Sequence, residues 1–211
     1  MSIAVIDYGI GNVRSILEAF KNQNTDVILT RNKDEILKSN GLVIPGVGSF
    51  SYGMENLVNY NLVEVIKEYT TLDRPLLGIC LGMQLLFEES EEFGNTKGLG
   101  LISGKVVQLP TKDNQNEKLP HVSWNEIKSD KNSWNNTILS NVEEGSDMYF
   151  VHSFIAQPRD PSYVLSLTEY SKYHFCSSVK KGSIYGCQFH PEKSGISGLK
   201  IVNNFIRMCQ L

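Results

Sequence analysis

No C-x-x-C pair occurs anywhere in the sequence, whose four cysteines, Cys80, Cys176, Cys187 and Cys209, stand singly. That scatter argues against a disulfide framework and against a structural zinc site. Histidine is equally sparse, and its four copies follow no metal-ligand spacing, so no metal is expected. A basic excess is also missing: 20 Lys and Arg stand against 23 Asp and Glu, a net charge of −3, which disfavours nucleic acid as a partner. No apolar run approaches the length of a membrane span, and Met1 opens onto a strand-like run rather than a charged-then-apolar leader. A cytoplasmic protein with no membrane association is therefore expected. Repeats, low-complexity tracts and linkers are absent too, and 211 residues of 41% hydrophobic content predict one domain over 1–211.

What is present is an alternation of short apolar runs and amphipathic stretches. Ile3 to Ile6, Asp26 to Thr30 and Gly41 to Ile44 read as buried strands. Between and after them, helical spacing recurs at Val13, Ile16, Leu17 and Phe20, at Asn32 to Leu37, at Met54, Leu57 and Val58, and from Leu62 to Tyr69. Strand and helix in alternation predict a parallel sheet covered on both faces. Past Glu92 the pattern changes. Thr111 to Lys118 reads as a polar loop, and Lys105 to Leu109, Met148 to Ile155, Tyr163 to Leu167, Tyr173 to Val179 and Ile184 to Phe189 read as short strands joined by turns. Leu199 to Met208 closes the chain as a helix. The expected fold is α/β: a single doubly wound, mostly parallel sheet flanked by helices, with an antiparallel extension.

The stretch from Pro75 to Glu89 organises the rest. An apolar run breaks at Cys80, held between Gly78 and Gly82, and resumes at helical spacing, which reads as strand, sharp turn and helix. Such an elbow exposes its central residue above the sheet in a strained backbone conformation. Taken alone the window leaves two roles open for Cys80, a nucleophile or a small buried hydrophobe. Pro45-Gly46-Val47-Gly48-Ser49 follows the third strand and can present successive backbone N–H groups at the same end of the sheet, where they could hold an oxyanion. Gln188-Phe189-His190-Pro191-Glu192 ends the last strand with a histidine and a carboxylate two residues apart, able to orient an imidazole toward a thiol. Gly9-Ile10-Gly11 suggests a dinucleotide turn only weakly, because Arg14 stands where that fingerprint wants a third small residue. A structural turn or partner-facing loop is the better reading there.

Gly78-Ile79-Cys80-Leu81-Gly82-Met83-Gln84, Pro45-Gly46-Val47-Gly48 and Gln188-Phe189-His190-Pro191-Glu192 together resemble the triad-bearing class I glutamine amidotransferase family, which has a flavodoxin-like fold. Asp7-Tyr8-Gly9-Ile10-Gly11-Asn12, Pro120 to Asn125, Phe150 to Ser153 and His190 to Gly195 narrow the likeness to the histidine-pathway branch. The resemblance implies that Cys80 attacks the side-chain amide of L-glutamine, that His190 shuttles protons and that Glu192 orients His190. It implies an oxyanion hole from Gly46, Val47, Gly48 and Leu81, and a glutamine pocket from Gln84, Val151, His152 and Ser153. It further implies a (β/α)8-barrel cyclase subunit as heterodimeric partner, docked near Asn12, Trp124 and Lys193, and no metal or organic cofactor. One position departs from the family pattern, with Ser123 where glycine is usual. That departure keeps a paralogous branch in view, in which the ammonia amidates a surface sugar.

Overall fold

The computed structural model describes residues 1–110, 118–130 and 133–210. Its first half is β1 (Ser2–Ile6), α1 (Val13–Lys21), β2 (Asp26–Thr30), α2 (Lys33–Lys38), β3 (Gly41–Ile44), α3 (Phe50–Asn59), α4 (Leu62–Thr70), β4 (Leu76–Ile79) and α5 (Leu81–Leu85). Seven strands follow: β5 (Phe87–Ser90), β6 (Thr96–Lys97), β7 (Ile102–Gln108), β8 (His121–Glu126), β9 (Lys128–Ser129), β10 (Asp147–His152) and β11 (Phe154–Pro158). The chain ends with β12 (Val164–Tyr170), β13 (Tyr173–Lys181), β14 (Ile184–Cys187) and α6 (Gly195–Met208).

Five strands in the order β2-β1-β3-β4-β14 pair in parallel. The inner four, β1, β3, β4 and β14, are short and apolar because both of their faces are covered, whereas β2 at the edge exposes Asp26 and Leu29. In β1, Ile3 and Val5 pack into the core beneath α1 and α6, with Ile16, Phe20, Ile201 and Phe205. Ala4 and Ile6 enter the opposite core with Ile36 of α2, Leu57 of α3 and Ile66 of α4. Beyond β14 the sheet turns antiparallel through β13, β11 and β7, with β12 also against β13. The expected extension is thus as large as the parallel half, and β5 returns to parallel pairing against β7. Strand β14, the last in chain order, lies inside the sheet between β4 and β13. β8 and β10 form a separate antiparallel pair.

Three expectations are corrected. The helix after Cys80 stops at Leu85, and Phe87 to Ser90 is a strand. Leu85, Leu86 and Phe87 are all fully buried, so this run has no polar face from which a period could be read. The Leu85 and Leu86 carbonyls are instead taken by the amides of Leu99 and Leu101. The single run Met148 to Ile155 is two strands, separated at Ser153 and belonging to different sheets. The run Ile184 to Phe189 pairs as a strand only to Cys187. Except for Lys118, the polar loop expected at Thr111 to Lys118 lies outside the described residues. Among the described residues no helix is long and apolar enough to cross a membrane.

Candidate active site

The parallel strands deliver their loops to one end of the sheet, where α/β folds place their ligands. Cys80 follows β4 with φ +53° and ψ −112°, a conformation that side chains rarely adopt. It is fixed by its own N–H, which donates to the Cys187 carbonyl of the neighbouring strand at 2.7 Å. Gly82 is required two residues on: a Cβ there would overlap the Ile44 carbonyl of β3. The elbow is thus wedged between two strands, and its strain is held by the sheet.

The Pro45 to Ser49 turn lies against this elbow. Tyr8, fully buried at the end of β1, donates its phenol to the Pro45 carbonyl, and Asn56 of α3 donates to the Tyr8 carbonyl at 2.9 Å. A Cβ at Gly46 would lie 2.6 Å from that phenol oxygen. Burial and the facing Cys80 push the Tyr8 phenol far up, so it remains a donor. The amides of Gly46, Val47, Gly48 and Leu81 donate to no acceptor among the described residues, and Val47, Gly48 and Leu81 line a cavity of about 240 Å³ beside Cys80.

His190 arrives from the other side. Its backbone N–H donates to the Tyr149 carbonyl of β10 at 3.0 Å, and its own carbonyl accepts from Ser194 Oγ at 2.6 Å. Pro191 starts a short 3-10 turn that brings Glu192 back, so Oε1 meets His190 Nδ1 at 2.8 Å with both side chains buried. His190 Nε2 is buried with no hydrogen-bond partner among the described residues. Burial disfavours the imidazolium, but Cys80 and Glu192 outweigh it and raise the His190 pKa from 6.5 to about 10. The three groups can therefore hold a thiolate–imidazolium pair with the ring oriented from behind.

The remaining walls come from Gln84, Glu92, Pro120 and Val151 to Phe154. Val151 offers its carbonyl 3.8 Å from Cys80 Sγ. Gln84 gives both protons of its amide to the protein, to the Phe154 carbonyl at 2.9 Å and to Gln188 Oε1 at 3.0 Å, which leaves its Oε1 as the acceptor for a bound molecule. His152 donates from Nδ1 to the same Phe154 carbonyl at 2.9 Å, so its Nε2 accepts from His121 Nδ1 at 3.0 Å. Burial and the neighbouring His121 lower the His152 pKa to about 3 and keep it neutral. His121 Nε2 lies 2.8 Å from both Ser123 Oγ and Asn125 Oδ1, and the Ser123 hydroxyl donates to Asn125 Oδ1. His121, Ser123 and Asn125 share the inner face of β8, while Val122 and Trp124 project outward, each about half exposed.

Trp124 lies 5.8 Å from the Tyr149 ring, Lys193 Nζ 5.7 Å from the same ring, and the His190 ring 6.3 Å from it. Asn12 is exposed at the start of α1, the helix packed against the Pro191–Lys193 turn. Three residues of this region escaped the sequence reading. Tyr8 looked like ordinary turn flank, Tyr149 one residue of an apolar run, and Glu92 a member of an acidic stretch. Only Tyr8, inside a quoted motif, carried any signal. Trp134 is core: it is buried and donates to the Leu165 carbonyl at 2.9 Å. Among the described residues no group of His, Cys, Asp or Glu is placed to hold a metal ion.

A strained cysteine at a strand–helix elbow, an imidazole with a buried carboxylate behind it and, among the described residues, unpaired amides over a pocket are the parts that thiol-dependent amide cleavage requires. The family model "Glutamine amidotransferase class-I" matches residues 4–209, and the chain belongs to that family of glutamine amidotransferase enzymes. A Legionella pneumophila protein named "Imidazole glycerol phosphate synthase subunit HisH 1" is 44% identical over 98% of this chain and 99% of its own length. A Bacillus mycoides protein named as subunit HisH of the same synthase is 47% identical over 96% of this chain and 93% of its own. Among solved structures, a "putative gmp synthase subunit a" from Thermoplasma acidophilum shares the fold with a TM-score of 0.72 at 19% identity, covering 100% of this chain and 94% of that one.

Proposed function

We propose that this chain is the glutaminase subunit of an imidazole glycerol phosphate synthase, releasing ammonia from L-glutamine for a (β/α)8-barrel cyclase subunit in histidine biosynthesis. The observation that carries the chemistry is the meeting of Cys80, His190 and Glu192 over a pocket walled by unpaired amides. Cys80 thiolate attacks the carboxamide carbon of glutamine, and the oxyanion takes the amides of Leu81 and of the Gly46-Val47-Gly48 turn. His190 Nε2 gives its proton to the departing nitrogen, and Glu192 holds the resulting imidazole in place. Ammonia leaves and a γ-glutamyl thioester remains, which water attacks with His190 as base to give glutamate. Gln84, Val151, His152 and Ser153 form the glutamine pocket, to which we add Glu92 as a carboxylate able to meet the substrate ammonium.

The partner reading rests on the apolar surface next to the site. Val122 and Trp124 are exposed on β8, and the Tyr149 ring that meets Trp124 and Lys193 lies 6.3 Å from the His190 ring. A partner covering Trp124, Lys193 and Asn12 would confine ammonia that solvent would otherwise protonate and dilute. The protein mixed with its barrel subunit and glutamine should release glutamate, and Cys80→Ala should abolish the release; undiminished turnover in the variant would remove the mechanism. Expression with the cognate barrel subunit should restore growth of a histidine auxotroph. An active glutaminase that fails to restore growth would assign the ammonia to another acceptor.

A further inference from the structure

We propose that Gln188 is a hydrogen-bond donor to the nucleophile, its side-chain amide locked so that an N–H faces Cys80 Sγ and favours the thiolate. The inference rests on Cys80 being the nucleophile and goes beyond it. Gln188 is fully buried, with Nε2 3.9 Å from Cys80 Sγ and Oε1 3.0 Å from Gln84 Nε2.

The direction of this amide follows from a fixed point three groups away. A backbone carbonyl can only accept, so the Phe154 oxygen dictates that Gln84 turns its NH₂ toward it, at 2.9 Å. The second Gln84 proton then meets Gln188 Oε1, and Gln188 has only its NH₂ left to present to the sulfur. Reversing Gln188 would set NH₂ against NH₂ at Gln84 and an oxygen against a sulfur anion. Reversing both glutamines would set an oxygen against the Phe154 carbonyl. That carbonyl is also engaged by His152 Nδ1, so the anchor is held from two sides.

In the thiol form, Sγ–H points to the Val151 carbonyl at 3.8 Å. Ionisation removes that donor and creates an acceptor in a buried site, where an anion is stable only if donors already face it. Gln188 supplies a neutral donor in addition to the charged His190. The N···S separation is long for a thiol and contracts when the acceptor carries charge. The ionisable groups around the sulfur are His190 with Glu192 behind it, Tyr8 from the end of β1, and Glu92 and His152 in the pocket wall. Gln188 is not part of that wall, so where its oxygen toward Gln84 is kept its effect should fall on the ionisation of Cys80 rather than on glutamine binding.

The test is the pH dependence of Cys80 alkylation by iodoacetamide, since Cys176, Cys187 and Cys209 are buried and their thiols are raised by desolvation. In Gln188→Leu the midpoint should rise by about one pH unit, a tenfold loss of thiolate below it. The isosteric Gln188→Glu should raise it further, by setting a carboxylate against the sulfur. kcat should fall in both variants, and KM for glutamine should hold in Gln188→Glu, whose side-chain oxygen still receives the Gln84 amide. A folded variant whose alkylation profile superimposes on that of the unsubstituted protein would overturn the proposal. Should both variants lose their melting transition, the side-chain amide resonance of Gln188 in the unsubstituted protein decides: it should shift as Cys80 titrates, and an unmoved resonance refutes the contact. Retained glutaminase activity in Cys80→Ala, by contrast, would remove the nucleophile reading itself.

Discussion

Tyr8→Phe isolates one hydrogen bond at the oxyanion turn. The substitution keeps the ring and its packing, and removes only the O–H that donates to the Pro45 carbonyl. The Asn56 side chain still holds the Tyr8 carbonyl, so the backbone at the end of β1 stays anchored. A buried acceptor left without its donor costs about 1–3 kcal/mol, and urea denaturation should show a stability loss in that range at constant m value. The Pro45 carbonyl belongs to the peptide that leads into Gly46, so a freed carbonyl also releases the turn whose amides are to meet the oxyanion. If the whole cost falls on the transition state, kcat drops by about 5- to 150-fold at tenfold per ~1.4 kcal/mol. Glutamate release with the barrel partner at saturating glutamine measures this. A variant that loses stability while kcat is unchanged would refute the reasoning, because the phenol would then be only a core filler.

Glu192→Gln keeps the shape of the triad and removes its charge, so the His190 pKa should fall from about 10 and turnover should drop by roughly two orders of magnitude or more; histidine NMR titration and steady-state rates check both. Because that pKa is raised on folding, His190 stabilises the fold fully below about 6.5 and loses the contribution as pH climbs toward 10. Cys80→Ala should flatten the stability profile across this window. The neutral His121–His152 pair acts in the opposite direction: both pKa values are lowered on folding, so stability should be lost as pH falls from about 6.5 toward 3, and His152→Phe should weaken this acid dependence in melts. Ser123→Gly should remove the hydroxyl beside His121 Nε2, and nitrogen shifts of His121 should report a changed tautomer balance; an unchanged spectrum would show that Asn125 alone fixes the ring. Gly82→Ala should yield an unstable protein, since the added methyl overlaps the Ile44 carbonyl and forces the elbow away from β3.

The parallel half of the fold was legible because strands buried on both faces become unbroken apolar runs, as at Leu42 to Ile44 and Leu76 to Ile79. Cys80, His190 and Glu192 were legible because a glycine-bracketed elbow and a strand-end His-Pro-Glu carry their chemistry in local sequence. The β8 strand was not. Its alternation is inverted, with polar His121, Ser123 and Asn125 on the inner face and apolar Val122 and Trp124 outside, and only the fold shows that these polar groups bond to one another. Gln188 was hidden for a related reason. Nothing near it in sequence says that Gln84, on another element, fixes which end of its amide faces the sulfur.

The position of β14 has a consequence for synthesis. This strand carries the chain into His190, yet it lies between β4 and β13 in the sheet, so the half that bears Cys80 has an open edge until the end of the chain has been made. A ribosome delivers the cysteine elbow long before the imidazole that serves it. Insertion of the last strand joins the two parts of the sheet, supplies the Cys187 carbonyl that holds Cys80 in its strained pose, and brings in His190 and Glu192 in one event. A chain interrupted before β14 therefore lacks both the carbonyl that holds Cys80 and the imidazole that faces it.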